Sequence, residues 1–174
     1  MSVPIPGRRV LLGVAAAATL ARIAPARADA LGKPADKPIL TISGKIAQTN
    51  DGKVARFDRP LLEALGTASI TTTTPWHDHP VQFEGVPMQR IMQAVGAQGE
   101  KIKVVALDDY SAQLPIADFG KYGTLLALKM AGKYMSVAEK GPSFIVYPFD
   151  QFAELRNATY YGRAVFQIAT IEVI

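Results

Sequence analysis

The sequence predicts an α+β domain built on a mixed, barrel-like sheet with short helices. Three observations lead there. Short β-branched or apolar runs recur along the chain, each bounded by Gly, Pro or Asn-Asp turns. Only two stretches carry helix signals, and both are brief. The final run alternates, with Val165, Gln167, Ala169, Ile171 and Val173 expected on one face. Strand-rich segments with few helices read as α+β.

The elements follow in order. Residues 31–37 are a Gly/Pro/Lys lead-in. Ile39 to Ile46 is β-rich, Asn50-Asp51-Gly52 is a turn that tolerates positive φ, and Val54 to Phe57 returns. Asp58 can accept from the first-turn amides of a short helix, with Pro60 in that turn and Gly66 ending it. Ala68 to Thr74 is a β-branched strand, and Pro75 to Pro80 reads as an irregular loop. Met88, Ile91, Met92 and Val95 have helical spacing between Pro87 and Gly96. Further strands are expected at Ile102 to Leu107, Ser111 to Leu114, Leu125 to Met130, Phe144 to Tyr147 and Ala164 to Val173. The domain is assigned to residues 31–174, without internal repeats.

Residues 1–30 read as a cleaved export signal. Arg8 and Arg9 precede the apolar run Val10 to Leu20, and small residues alternate at Ala26-Arg27-Ala28-Asp29-Ala30, so cleavage falls after Ala28 or Ala30. The apolar run is shorter than the roughly 20 residues a membrane span needs. The arginine pair leaves a twin-arginine route open beside the ordinary one. Either way the expected location is the periplasm. The chain has 19 Lys+Arg and 15 Asp+Glu; removing the signal's four arginines and one aspartate leaves 15 and 14, a net charge of +1. That balance gives no basis for a nucleic-acid surface. There is no cysteine, which excludes disulfides, thiolate nucleophiles and thiolate metal ligands. Neither a phosphate-cradling G-x-x-x-x-G-K-[S/T] nor a nucleophile elbow G-x-S-x-G occurs.

Chemistry concentrates in three places. The stretch Thr71 to Pro80 holds the single Trp, Trp76, and both histidines, His77 and His79. Two histidines at strand spacing could share a face and bind a metal or haem, though two ligands make an incomplete site. Trp76 offers a flat face for stacking a heterocycle, or packs in the core. Asp108-Asp109-Tyr110 closes a buried run, where a carboxylate could accept paired hydrogen bonds from a ring edge. Strand alternation puts Asp108 and Asp109 on opposite sides, so only one can face a cleft. Lys140 leads into an aromatic strand that ends on Asp150.

Several segments taken in order resemble a known family. They are Thr72 to Trp76, Phe83-Glu84-Gly85-Val86-Pro87-Met88, Ala106 to Tyr110, Leu114-Pro115, Lys140-Gly141-Pro142, Tyr147-Pro148, Phe166-Gln167-Ile168 and Ile171-Glu172-Val173. Over residues 38–174 they are similar to the molybdopterin-binding domain of the sulfite-oxidase superfamily, in its short periplasmic form. The resemblance implies a mixed fold around a curved sheet with a pterin-sized cleft. It also exposes two departures: Thr72 stands where catalytic members have a molybdenum-binding cysteine, and Phe144 stands near their phosphate-holding arginine. A hydroxyl is a poor substitute for a soft thiolate. The cysteine-free form resembles small periplasmic pterin-binding proteins that signal to an inner-membrane enzyme of cyclic-di-GMP metabolism. This implies a non-catalytic pterin binder, with the pterin as ligand rather than a complete molybdenum cofactor. Trp76, Asp109, Tyr110 and Lys140 are its leading contacts; Thr72, His77, Tyr147 and Arg163 are further candidates. The resemblance sets Asp109, not Asp108, on the ligand. Other readings are a molybdenum-cofactor oxidoreductase, a haem or metal carrier through His77 and His79, and a structural partner subunit.

Overall fold

The computed structural model describes Met1 and residues 31–174; the export signal assigned to residues 1–30 lies outside the described residues apart from Met1. Among the described residues, ten strands form two five-stranded sheets. The first is ordered β2 (Ala55–Phe57), β1 (Leu40–Gly44), β10 (Ile168–Val173), β5 (Lys101–Ala106) and β6 (Ser111–Pro115). Its β1–β10 pair is parallel and the other pairs are antiparallel. The second runs β3 (Ala68–Thr74), β4 (His77–Pro87) and β7 (Leu125–Met130). β8 (Lys133–Tyr134) and β9 (Phe144–Val146) pair with opposite ends of β7. The first sheet is mixed, as expected, the second is wholly antiparallel, and among the described residues no closed barrel forms.

The interior is aliphatic and aromatic. Ile42, Ile102 and Ile171 of the first sheet and Phe83, Leu126 and Phe144 of the second are all fully buried. With no disulfide to constrain the chain, burial of this apolar surface is the main stabilising term.

Two short helices sit where their signals lie. α1 (Arg59–Ala64) starts at Asp58, whose carboxylate accepts from Leu61 N at 2.9 Å. The same carboxylate ties down the lead-in by accepting from Ala35 N and Asp36 N at 2.7 and 2.8 Å. Burial opposes ionisation of Asp58, but these backbone donors outweigh it and hold its pKa below the ordinary carboxylate value. α2 (Met88–Ala94) turns Met88, Ile91 and Met92 into the core.

Four elements have no clear sequence signal: the two-residue β8, β4, and two further short helices. β4 carries Pro80, Gly85 and Pro87 in one strand. Gly85 is required there because a Cβ would sit 1.9 Å from the Leu126 carbonyl of β7. The expected loop at Pro75 to Pro80 is therefore wrong. Thr74 pairs with His77, so only Pro75 and Trp76 form the turn of a hairpin, and His77 to Pro80 belong to the strand. α3 (Ala117–Tyr122) and α4 (Ala158–Arg163) are short helices of six residues that each contain a glycine.

The final run is also shorter than expected. Gln167 adopts a left-handed φ of 54°. Ahead of it, Phe166 bridges Phe144 and Ile145 N donates to Val165 O, so this segment joins the second sheet. Beyond it, β10 enters the first sheet. The alternation is thereby broken: Ile168, Ile171 and Val173 are buried, while Gln167 and Ala169 are not. Among the described residues, no helix is long and apolar enough to cross a membrane.

Candidate functional site

The two sheets part where the β3–β4 turn, the β5–β6 turn and α4 meet, leaving a cleft of about 360 Å3. Trp76, at the tip of the β3–β4 hairpin, forms one wall and is 36% exposed. Its ring meets Phe144 and Phe166 edge-on, with centroids 5.9 and 5.8 Å apart. That leaves a broad aromatic face beside Phe166. The opposite wall is α4, which contributes Tyr161 and Gly162. Asn157 starts this helix by accepting from Thr159 N and Tyr160 N. The floor is Ala106, Ala164 and Val165.

The β5–β6 turn supplies the polar rim. Ala106 N donates to Tyr110 O at 2.9 Å, closing Leu107, Asp108 and Asp109 into a tight turn. Asp108 accepts from Tyr110 N at 3.1 Å and lines the cleft. Tyr110 also lines it, and its hydroxyl donates to the Gly162 carbonyl at 2.9 Å. This bond ties the turn to α4 across the cleft. Asp109 has a left-handed φ of 65° and is not among the lining residues. The resemblance pointed to Asp109, but strand alternation does not continue past Ala106, and the turn brings Asp108 to the cleft.

Lys140 is not among the lining residues either, but its cation stands beside two of them. Its Nζ lies 4.2 Å from the Phe166 ring centroid and 6.0 Å from that of Trp76. Lys140 caps the 3-10 turn Val137–Glu139 in a left-handed conformation with φ of 67°. His77 sits behind Trp76, where its Nδ1 shares a 2.7 Å hydrogen bond with Thr74 Oγ1. Burial, reinforced by the charges of Lys140 and His79, lowers the His77 pKa, so the ring is neutral at ordinary pH.

The other candidates are placed apart from the cleft. Thr72 is fully buried; its hydroxyl donates to Thr73 O and accepts from Asp150 N, both at 3.1 Å. Tyr147 is fully buried and donates to Asp118 Oδ2 at 3.1 Å. Burial and the nearby carboxylate drive its phenol pKa well up, so it stays a proton donor. Arg163 points to the same carboxylate, 2.9 Å away. Asp150 holds Thr73 through both its backbone N–H and its hydroxyl. Those bonds, led by the Thr73 hydroxyl, hold the Asp150 pKa low. Among the described residues, no group of three or more His, Cys, Asp or Glu could hold a metal ion.

The structure thus brings Trp76, Tyr110 and Lys140 together, and adds Asp108, Tyr161 and Phe166. The missed residues had a signal of sorts. Asn157 followed three residues later by Tyr160-Tyr161-Gly162 is a capped turn bearing aromatics. Phe166 was visible in the resemblance, but as part of a strand.

The donor set does not fit the molybdenum cofactor that the resemblance brings to mind. The chain has no thiolate, and the Thr72 hydroxyl is buried and already bonded. Phe144 is buried against Phe83, Trp76 and Phe166, where an anion would be excluded.

No family model matches the chain, and no curated protein matches it either. Among solved structures, it is similar to the crystal structure of the sulfane dehydrogenase SoxCD from Paracoccus pantotrophus, with a TM-score of 0.56 at 15% identity. The likeness covers 77% of this chain but 37% of that one. At that identity it establishes a shared fold, over little more than a third of the SoxCD chain.

Proposed function

We propose that this is a periplasmic, non-catalytic pterin-binding protein. The observation that supports it most is the composition of one cleft: aromatic walls from Trp76, Tyr161 and Phe166 and a carboxylate at Asp108, with the Lys140 cation beside the Phe166 ring. A pterin is a flat ring with an amino group and a ring N–H side by side and a carbonyl beside them. It therefore asks for a stacking face, a paired acceptor and a donor. A cleft of about 360 Å3 is in the range of small-molecule sites. The fold shared with a sulfane dehydrogenase agrees with the resemblance to the sulfite-oxidase superfamily, and so with a pterin-sized cleft.

The acceptor is Asp108. Asp108→Asn keeps the shape but removes the charge and places a donor where the ring edge also donates. Loss of a charge-assisted hydrogen bond amounts to about 1.5–3 kcal/mol, or roughly ten- to a hundred-fold in affinity. Calorimetric titration with tetrahydrobiopterin should show that loss for Asp108→Asn, and a smaller one for Asp109→Asn. The reverse order would mean that the ring edge does not lie on Asp108.

The relay to an inner-membrane enzyme of cyclic-di-GMP metabolism belongs to the same proposal. Beside the cleft runs a groove of about 670 Å3 with Asp36, Lys37 and Arg59 among its lining residues, in which Leu107 and Val137 stand 55% and 56% exposed. Gln167 separates groove from cleft: its carbonyl accepts from Leu107 N at 2.8 Å and its side chain donates to Val137 O at 2.7 Å. Phe166 and Lys140, at the cleft, are its chain neighbour and its backbone acceptor. A pterin settling on Phe166 would be felt in the groove, where exposed aliphatics suit a protein partner. Leu107→Asp should leave pterin affinity unchanged, yet bring cellular cyclic-di-GMP to the level of cells lacking the protein. Wild-type cyclic-di-GMP in that strain would remove the groove from the relay.

The competing reading is a molybdenum-cofactor oxidoreductase. Metal and mass analysis of protein from its native periplasm separates the two: a pterin without metal supports binding, and stoichiometric molybdenum supports catalysis.

A further inference from the structure

Trp76 reaches the cleft from a two-residue turn, and a chain of hydrogen bonds inside that turn fastens it. Thr74 and His77 face each other as the pair that closes the β3–β4 hairpin. Trp76 N donates to Thr74 Oγ1 at 3.2 Å, and Thr74 Oγ1 lies 2.7 Å from His77 Nδ1. Thr74 is only 8% exposed, so its hydroxyl proton needs an acceptor in the protein. Among the described residues, His77 Nδ1 is the acceptor within hydrogen-bond reach. The direction of the chain follows. The Trp76 N–H donates to the hydroxyl oxygen, and the hydroxyl donates to an unprotonated Nδ1. The His77 ring also packs edge-on against the buried Phe83, with centroids 5.8 Å apart.

A proton on Nδ1 reverses the chain. Nδ1 becomes a donor, the Thr74 oxygen then faces two donors, and its own proton is left buried without an acceptor. The new charge is also badly placed. Burial opposes it first; Lys140, which follows the 3-10 turn, and His79 on β4 add to that, while Asp78 on β4 favours it. Lys140 is the cation that stands over Phe166 and Trp76. Repulsion from a charged His77 therefore acts on the aromatic face as well as on the turn.

We propose that His77 is a positioning residue for Trp76 and makes ligand binding in the cleft sensitive to protons: the neutral ring holds the indole in place through Thr74, and the protonated ring releases it. The inference rests on the pterin reading and adds its regulation. Linkage fixes the sign. A ligand that needs neutral His77 disfavours the proton there, so a proton weakens binding by the same factor. The His77 pKa lies below the ordinary histidine value. Affinity should therefore be level from neutral pH upward and fall on the acid side of that value.

Two readouts on the full mature chain test this. Trp76 is the single tryptophan, so its emission reports on the turn without any ligand. Between about pH 8 and about pH 5 the wild-type emission maximum should move to the red as the indole gains solvent, with circular dichroism unchanged. His77→Gln keeps an acceptor for Thr74 but does not titrate, and should abolish the shift; His79→Gln should keep it. Thr74→Val removes the hydroxyl that joins ring to indole, and should abolish the shift although His77 still titrates. In calorimetry over the same range, wild-type affinity for tetrahydrobiopterin should fall about tenfold further than that of His77→Gln. Titration of the ligand itself is common to both proteins and cancels in this comparison. The same pH dependence of affinity in wild type and His77→Gln would overturn the proposal, as would an emission shift that survives in folded His77→Gln and Thr74→Val. The expected emission pattern with no binding at any pH would sink the pterin reading while upholding the chain that positions Trp76.

Discussion

Trp76→Ala is expected to lower pterin affinity by about ten- to a hundred-fold while the domain stays folded. A stacked ring contributes about 1–3 kcal/mol, and Trp76 presents the widest face in the cleft. The indole is only partly buried, at 36% exposure, so its truncation opens little of the core. What it loses inside the protein is edge-on contact with Phe144 and Phe166, each of which contributes about 0.5–1.5 kcal/mol. A folded variant, checked by circular dichroism and thermal unfolding, should therefore be less stable yet native. Trp76→Phe should recover part of the binding, since it restores a smaller aromatic face. Calorimetric titration with tetrahydrobiopterin decides between the roles of Trp76. Unchanged affinity in a folded Trp76→Ala protein would end the stacking idea. An unfolded variant would show instead that the core needs the indole.

The second large effect concerns a residue outside the cleft lining. Asp118 lies on α3 and is 7% exposed. Its Oδ2 receives both the Tyr147 hydroxyl and the Arg163 guanidinium, at 3.1 and 2.9 Å. Asp118→Ala strands a buried phenol without its acceptor and a largely buried cation without its partner. Removing one side of such a pair typically costs about 3–5 kcal/mol. Arg163 ends α4, the helix that presents Tyr161 and Gly162 to the cleft. Its release should loosen that wall, so pterin affinity should fall along with stability. Asp118→Asn keeps an acceptor for Tyr147 and should lose less. Urea unfolding of the three proteins, read beside their tetrahydrobiopterin affinities, tests both halves. A stability change under about 1 kcal/mol for the alanine variant would mean that water replaces the carboxylate readily, and that the pair does not fasten α4.

Arg163 illustrates how the site was partly legible. A cation near the end of the chain is a reasonable donor to a ligand carbonyl, and sequence alone cannot say that Asp118, 45 residues earlier, claims it first. Tyr147 is a similar case: an aromatic at a strand end could face a cleft, but the burial of its whole ring is a property of the packed sheets. The Asp108–Asp109 pair turned on one backbone angle. Alternation assigns sides only while a strand lasts, and the chain leaves β geometry at Leu107.

What the sequence by itself determined is local. β-branched runs gave β3 and β5, Asp58 with Pro60 gave α1, and apolar spacing of 3 and 4 gave α2, because each signal is contained within a few neighbouring residues. The absence of cysteine likewise excluded thiolate chemistry outright. Trp76, Tyr110 and Lys140 could be singled out by their chemistry and position. Tertiary structure decided the rest. β4 is a strand despite its prolines and glycine because β3 and β7 pair with it on both sides and Gly85 lets β7 approach. Gln167 turns one alternating run into two, since Phe166 is needed by the second sheet and Ile168 by the first. The cleft exists only where those sheets separate. Its walls come from residues 76, 108, 110, 161 and 166, and long-range packing, which no local periodicity encodes, sets which of their faces meet.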